Sequence, residues 1–190
     1  MGDDMQGMRE MMQRMMGDVL PPGIDPSLLP APASRGAKLL GHYCAQCHYL
    51  PGPGMHTAQE WPAVVARMSR RMQMMSGNGM MGMGMMMGRI EAPSGRELEE
   101  LLGYLQTYAQ SPIDPSRYPD LATPAGRAFQ ATCARCHALP DPQQHTAPEW
   151  PSVVARMQRN MLAMDRAVPD EQTIGEIIGF LQRHARKQTR

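Results

Sequence analysis

Cys44-Ala45-Gln46-Cys47-His48 recurs as Cys133-Ala134-Arg135-Cys136-His137, and the two pentapeptides use every cysteine of the 190-residue chain. Both read C-x-x-C-H, the spacing at which a haem is attached covalently. Two thiols three residues apart on a short helical turn reach the two vinyl groups of one porphyrin and become thioethers. The next residue, a His, then turns its imidazole toward the iron from the same side. A redox disulfide needs neither the adjacent His nor a second copy. A structural zinc would have to gather ligands from sites about 89 residues apart and leave both His without a role. The cofactors expected are therefore two haem c groups, bound through Cys44 and Cys47 and through Cys133 and Cys136. His48 and His137 are the expected proximal iron ligands.

Composition sets the frame for this reading. The formal charge is +1, with neither a basic nor an acidic run, so a nucleic-acid partner is not expected. No apolar stretch is long enough for a transmembrane helix. A chain of this length suits one ordinary domain or two small ones, and small domains with thin cores need a staple such as a cofactor. The start, Met1-Gly2-Asp3-Asp4-Met5, has no basic n-region and no apolar h-region, so the sequence is expected to be a mature chain whose leader has been removed.

The repeat extends beyond the motif. Positions 44 and 133 set an offset of 89, and Cys47–Pro62 matches Cys136–Pro151 with few changes. Val64-Val65-Ala66-Arg67-Met68 returns as Val153-Val154-Ala155-Arg156-Met157. Tyr104-Leu105-Gln106 pairs with Phe180-Leu181-Gln182 at an offset of 76, which places 13 additional residues in the first copy, in the Met- and Gly-rich stretch Met74–Gly88. Each unit reads as three helices. The first covers 34–43 in copy one and 126–132 in copy two. The second starts near Trp61 or Trp150, behind the capping boxes Thr57/Glu60 and Thr146/Glu149. The last covers 94–108 and 169–186. The expected organisation is a Met-rich segment with a Pro-rich linker (1–33), a first domain (34–111, loop 73–93), a linker (112–122) and a second domain (123–190).

This order, N-terminal helix, attachment motif, middle helix and C-terminal helix, resembles the class I cytochrome c fold. The chain as a whole resembles tandem dihaem c-type cytochromes: all-α, with each unit wrapped around one haem. The resemblance implies an exported, periplasmic electron carrier between a redox donor and a redox acceptor. Two alternatives stay open. One is a dihaem enzyme with an open iron site, of the peroxidase or sulfur-compound dehydrogenase type. The other is a copper-binding or docking subunit of an electron-transfer complex. The string His-Thr-x-x-Glu-Trp-Pro-x-Val-Val-x-Arg-Met is also similar to a subgroup of small cytochromes, in which the Met of W-x(6)-M is the sixth ligand.

A closed electron-transfer haem takes Met or His on its second axial side. Met68 and Met157 align with each other and are the first candidates; Met72 and Met161, one turn further on the same face, are the second. His56 and His145 offer a bis-His rival, but each lies only eight residues past its proximal His. Capping the next helix or binding a propionate suits them better. Trp61 and Trp150 are expected as packing residues, and Arg67 and Arg156 either pair with propionates or face solvent.

Methionine is in surplus, at 21 residues. Seven lie in 1–16, where Met1, Met5, Met8, Met12 and Met15 form a helical stripe, and nine lie between Met72 and Met87. Two readings stand: an apolar face through which the N-terminal segment docks on a partner, or thioethers that collect Cu(I).

Overall fold

The computed structural model describes residues 22–76 and 90–188, with Gly7, Glu10, Met11 and Arg14 ahead of them. The chain divides between Ala109 and Gln110 into two units, each with its own core. The first contains helices α1 (Arg35–Cys44), α2 (Trp61–Ser76) and α3 (Gly95–Thr107); the second contains α4 (Pro124–Cys133), α5 (Trp150–Ala163) and α6 (Glu171–His184). Among the described residues there is no strand, and the protein is all-α. No helix among them is long and apolar enough to cross a membrane.

The helix starts follow from side chains that satisfy otherwise orphan N–H groups. Ser34 caps α1 by accepting from Ala37 N–H, and Thr123 caps α4 by accepting from Gly126 N–H, with Pro124 in the first turn. Ser94 and Glu97 close a capping box on α3. Asp170 accepts from Thr173 N–H at 2.8 Å, so α6 begins just after the expected Pro169. Helix α5 ends where Asp165 turns left-handed at φ 51° and Arg166 N–H reaches back to Met161 O at 2.8 Å.

In the first unit α1 crosses α3, and Leu40, Tyr43, Leu101, Tyr104 and Leu105 are buried there. In the second, α4 crosses α6 around Phe129, Ile177, Phe180 and Leu181, with the rings of Phe129 and Phe180 stacked at 5.2 Å. One of the two glycines of α1 has a steric reason. A Cβ on Gly36 would stand 2.4 Å from Tyr104 Cβ, so the helices meet only because that atom is missing.

The segment 112–122, expected as a linker, is instead part of the second unit. Tyr118 and Leu121 are buried in its core, and Ile113 N–H donates to Leu139 O at 2.8 Å. It repeats the segment after Pro22, where Ile24 N–H donates to Leu50 O at 2.9 Å. Ile24-Asp25-Pro26-Ser27 and Ile113-Asp114-Pro115-Ser116 share the 89-residue offset, and each forms a 3-10 turn capped by its Asp. Leu29 and Pro30 likewise join the first unit: Leu29 is buried, and Tyr104 Oη–H donates to Pro30 O at 2.7 Å. The duplicated unit thus begins earlier than α1 and α4, because these turns cover the end of each core.

Candidate haem-attachment sites

Each attachment motif starts on the last residue of its first helix, Cys44 on α1 and Cys133 on α4, and turns into the following loop. All four cysteines are free thiols. Burial pushes Cys44 up to about 12, with the neighbouring Cys47 adding to it, and burial pushes Cys133 up to about 12 as well. Cys47 is raised by the same cause. Cys44, Cys47 and Cys133, whose thiols are held neutral by burial, are unlike a catalytic or redox cysteine, which needs a lowered pKa. They fit groups that end as uncharged thioethers.

The His that follows is held the same way in both units. His48 Nδ1 lies 2.8 Å from Tyr49 O, and His137 Nδ1 lies 2.8 Å from Ala138 O. A carbonyl can only accept, so each bond assigns the proton to Nδ1 and leaves the lone pair of Nε2 for a metal. Among the described residues no three His, Cys, Asp or Glu side chains gather around one point. Two thiols and one ready imidazole per unit fit one covalently held haem per unit.

Behind each motif a second set of contacts recurs. Trp61 Nε1–H donates to Pro53 O at 2.8 Å and Trp150 Nε1–H to Pro142 O at 2.9 Å, both in buried surroundings. His56 stands edge-on to Trp61, centroids 4.8 Å apart, and His145 stands the same way to Trp150, again at 4.8 Å. Thr57 N–H and Thr146 N–H donate to Glu60 and Glu149 at 2.8 and 2.7 Å. Glu60 N–H returns a bond to Thr57 Oγ1 at 3.3 Å and closes the first capping box. In the second unit Glu149 itself stands at the N-cap of α5, three residues past the expected Thr146, and its N–H goes to Thr146 O at 3.1 Å. Gln106 and Gln182 then tie the last helices to this turn through Ala58 O and Ala147 O. His56 and His145 are thus engaged with the Trp and the capping Glu on one side of the middle helix.

The candidate distal methionines all lie on middle helices. Met68 is half-buried and packs on the first core together with Cys44 and Cys47, and Met72 is buried in that core. Met157 and Met161 are half-buried. Arg67 and Arg156 are exposed. Of the Met-rich segments, the stripe Met1, Met5, Met8, Met12 and Met15 and the cluster from Met80 to Met87 lie outside the described residues. Met74 and Met75 are described at the end of α2 and are exposed.

Two participants escaped the sequence reading. Gln46, inside the first motif, is buried; its Oε1 accepts from Glu91 N–H at 2.8 Å and its Nε2–H donates to Glu91 O at 2.9 Å. Arg135, its repeat partner, donates to Ala167 O at 3.1 Å. Ala167 corresponds to Glu91 at the 76-residue offset, so both motifs clasp the chain just before the last helix. The other is Gln110, buried in the second unit, whose Nε2–H donates to Ala138 O beside His137. The clasp has a sequence signal only in hindsight, as two long polar side chains in matching x positions. Gln110 has none.

No family model matches the chain, and neither a curated protein nor a solved structure matches it.

Proposed function

We propose that the protein is an exported dihaem c-type cytochrome, built from two tandem cytochrome c-like domains, that carries electrons between a redox donor and an acceptor in the periplasm. The observation supporting it most directly is the pair of C-x-x-C-H motifs whose His Nδ1 atoms are both tied at 2.8 Å to a backbone carbonyl, leaving Nε2 free.

In this reading Cys44 and Cys47 hold the first haem, and Cys133 and Cys136 hold the second. Each thiol adds across a vinyl group: a carbon–sulfur bond forms, the thiol hydrogen moves to the neighbouring vinyl carbon, and no electron is exchanged with the medium. Each bound haem supplies a one-electron couple at its iron. His48 and His137 donate Nε2, and the carbonyls of Tyr49 and Ala138 keep the Nδ1 proton in place, which orients the ring and raises its basicity. Met68 and Met157 are the preferred distal ligands, with Met72 and Met161 one turn away as the alternatives. Thioether ligation raises the potential above that of a bis-His site and suits an acceptor at the oxidising end of a chain. The Trp61 and Trp150 struts fix the middle helix that carries the thioether, which limits reorganisation when the iron changes charge.

The test is expression with export and haem-attachment machinery beside a cytochrome that this host is known to load. The expected result is two covalent haems per chain by the alkaline pyridine spectrum, falling to one in the Cys44→Ala/Cys47→Ala chain. A near-infrared sulfur-to-iron band of two-haem strength is expected in the oxidised protein. A chain that leaves the loaded host without covalent haem overturns the reading.

A further inference from the structure

The two units repeat the same site with different amounts of cover. In the first, Cys47 and Met68 pack on the core and Met72 is 9% exposed. The chain returning to α3 adds Ile90, which is 5% exposed, and Ala92, which packs on the same core. Gln46 holds that return in place through both of its amide atoms on Glu91. In the second unit, Cys136 is exposed, Met157 is half-buried as Met68 is, and Met161 is half-buried where Met72 is buried. Among the described residues, those packed on the second core include neither methionine. The counterpart of Ile90 is Arg166, which is exposed, and the clasp is the single bond from exposed Arg135 to Ala167 O.

We infer that the second site is the one that exchanges its distal methionine for a small neutral ligand of the carbon monoxide and nitric oxide class, while the first stays closed. The inference rests on the dihaem reading above. A distal thioether is released only when its residue swings off the iron. At the first site that motion must unpack Met68 or Met72 from a core that Ile90 and Ala92 also cover, beside a return held by the Gln46 clasp. At the second site neither obstacle is present to the same degree. The apparent affinity for an incoming ligand scales with the fraction of molecules in the open state, so the looser site is filled first. Exchange at the reduced iron breaks one iron–sulfur bond and forms one bond to the ligand, with no change of oxidation state. The protein's contribution is therefore which thioether it holds and which it lets go.

The experiment uses the full haem-loaded chain, reduced with dithionite at neutral pH and titrated with carbon monoxide; the Soret change gives ligand bound per chain. The haem count is taken separately from the alkaline pyridine spectrum. One carbon monoxide per chain is expected. The Met68→Leu/Met72→Leu chain is expected to bind two, because it opens the closed site. The Met157→Leu/Met161→Leu chain is expected to remain at one and to bind faster. These doubles cover either choice of distal Met, and Leu keeps the buried volume close to that of Met. Each variant counts only with two haems per chain. None or two bound by the parent, or the doubles answering in reverse, overturns the inference while the dihaem reading stands. A parent without haem overturns the reading instead.

Discussion

Replacing Gly36 by Ala tests the helix crossing that sets Cys44 in place. The added Cβ would lie 2.4 Å from Tyr104 Cβ and 2.7 Å from its Cγ, which are the stem of a side chain rather than its flexible end. Tyr104 cannot swing aside easily, since it is 6% exposed and its hydroxyl is bonded to Pro30 O. The helices must move apart, and a contact this short against the stem of a side chain belongs in the upper part of the usual overpacking cost, about 2–3 kcal/mol. Ala in place of Gly within a helix returns about 1 kcal/mol, so the first unit should lose roughly 1–2 kcal/mol net. Gly41 lies on the same helix with nothing within 4 Å of its would-be Cβ, so Gly41→Ala should stabilise by about 0.5–1 kcal/mol. Hydrogen exchange read by mass spectrometry separates the two units. Amides of α1 and α3 should exchange roughly 5–30-fold faster in Gly36→Ala and more slowly in Gly41→Ala, with α4 and α6 unchanged. Equal effects of the two substitutions, or protection in both, would refute the crossing.

Three further outcomes follow from single side chains. Gln46→Ala strips both bonds from the Glu91 backbone in a buried place and should cost about 2 kcal/mol, seen as faster exchange at 90–93. Arg135→Ala, exposed and holding one carbonyl, should cost about 0.5 kcal/mol or less; equal losses would contradict the difference in cover between the sites. Burial holds His145 below its ordinary 6.5, with Arg156 and Arg186 acting in the same direction and Glu149 against it. The unfolded chain then takes up this proton first as pH falls. The second unit should lose stability from about pH 7 downward until the folded pKa is passed, and level off below it. His145→Gln should flatten that slope in denaturant titrations; an unchanged slope would show that another group sets it.

The site is legible to different depths. The candidate attachment residues need only local spacing, because the proposed thioether pair and proximal imidazole come from adjacent residues of one turn. The capping turns are local as well: Thr57/Glu60 closes in both directions, and Thr146/Glu149 through the Thr146 N–H bond to Glu149 alone. The linker expectation for 112–122 failed for a different reason. Tyr118 and Leu121 are too few and too widely separated by Pro and Asp to show a periodic face, yet two apolar side chains suffice to cover the end of a small core. The repeat Ile-Asp-Pro-Ser was available as a signal and marks the true start of the unit.

The sequence by itself determined the chemistry on offer: four thiols, two adjacent imidazoles and two aligned pairs of thioethers in a duplicated, helical chain. These depend on residue type and on separations of a few positions, which the covalent chain sets directly. Only the tertiary structure decided how α1 meets α3 over Gly36 and that the two sites are unequally covered. Those properties depend on neighbours such as Glu91, Tyr104, Ile90 and Arg166. Their distance along the chain carries no pattern, and they meet the site only when the cores close.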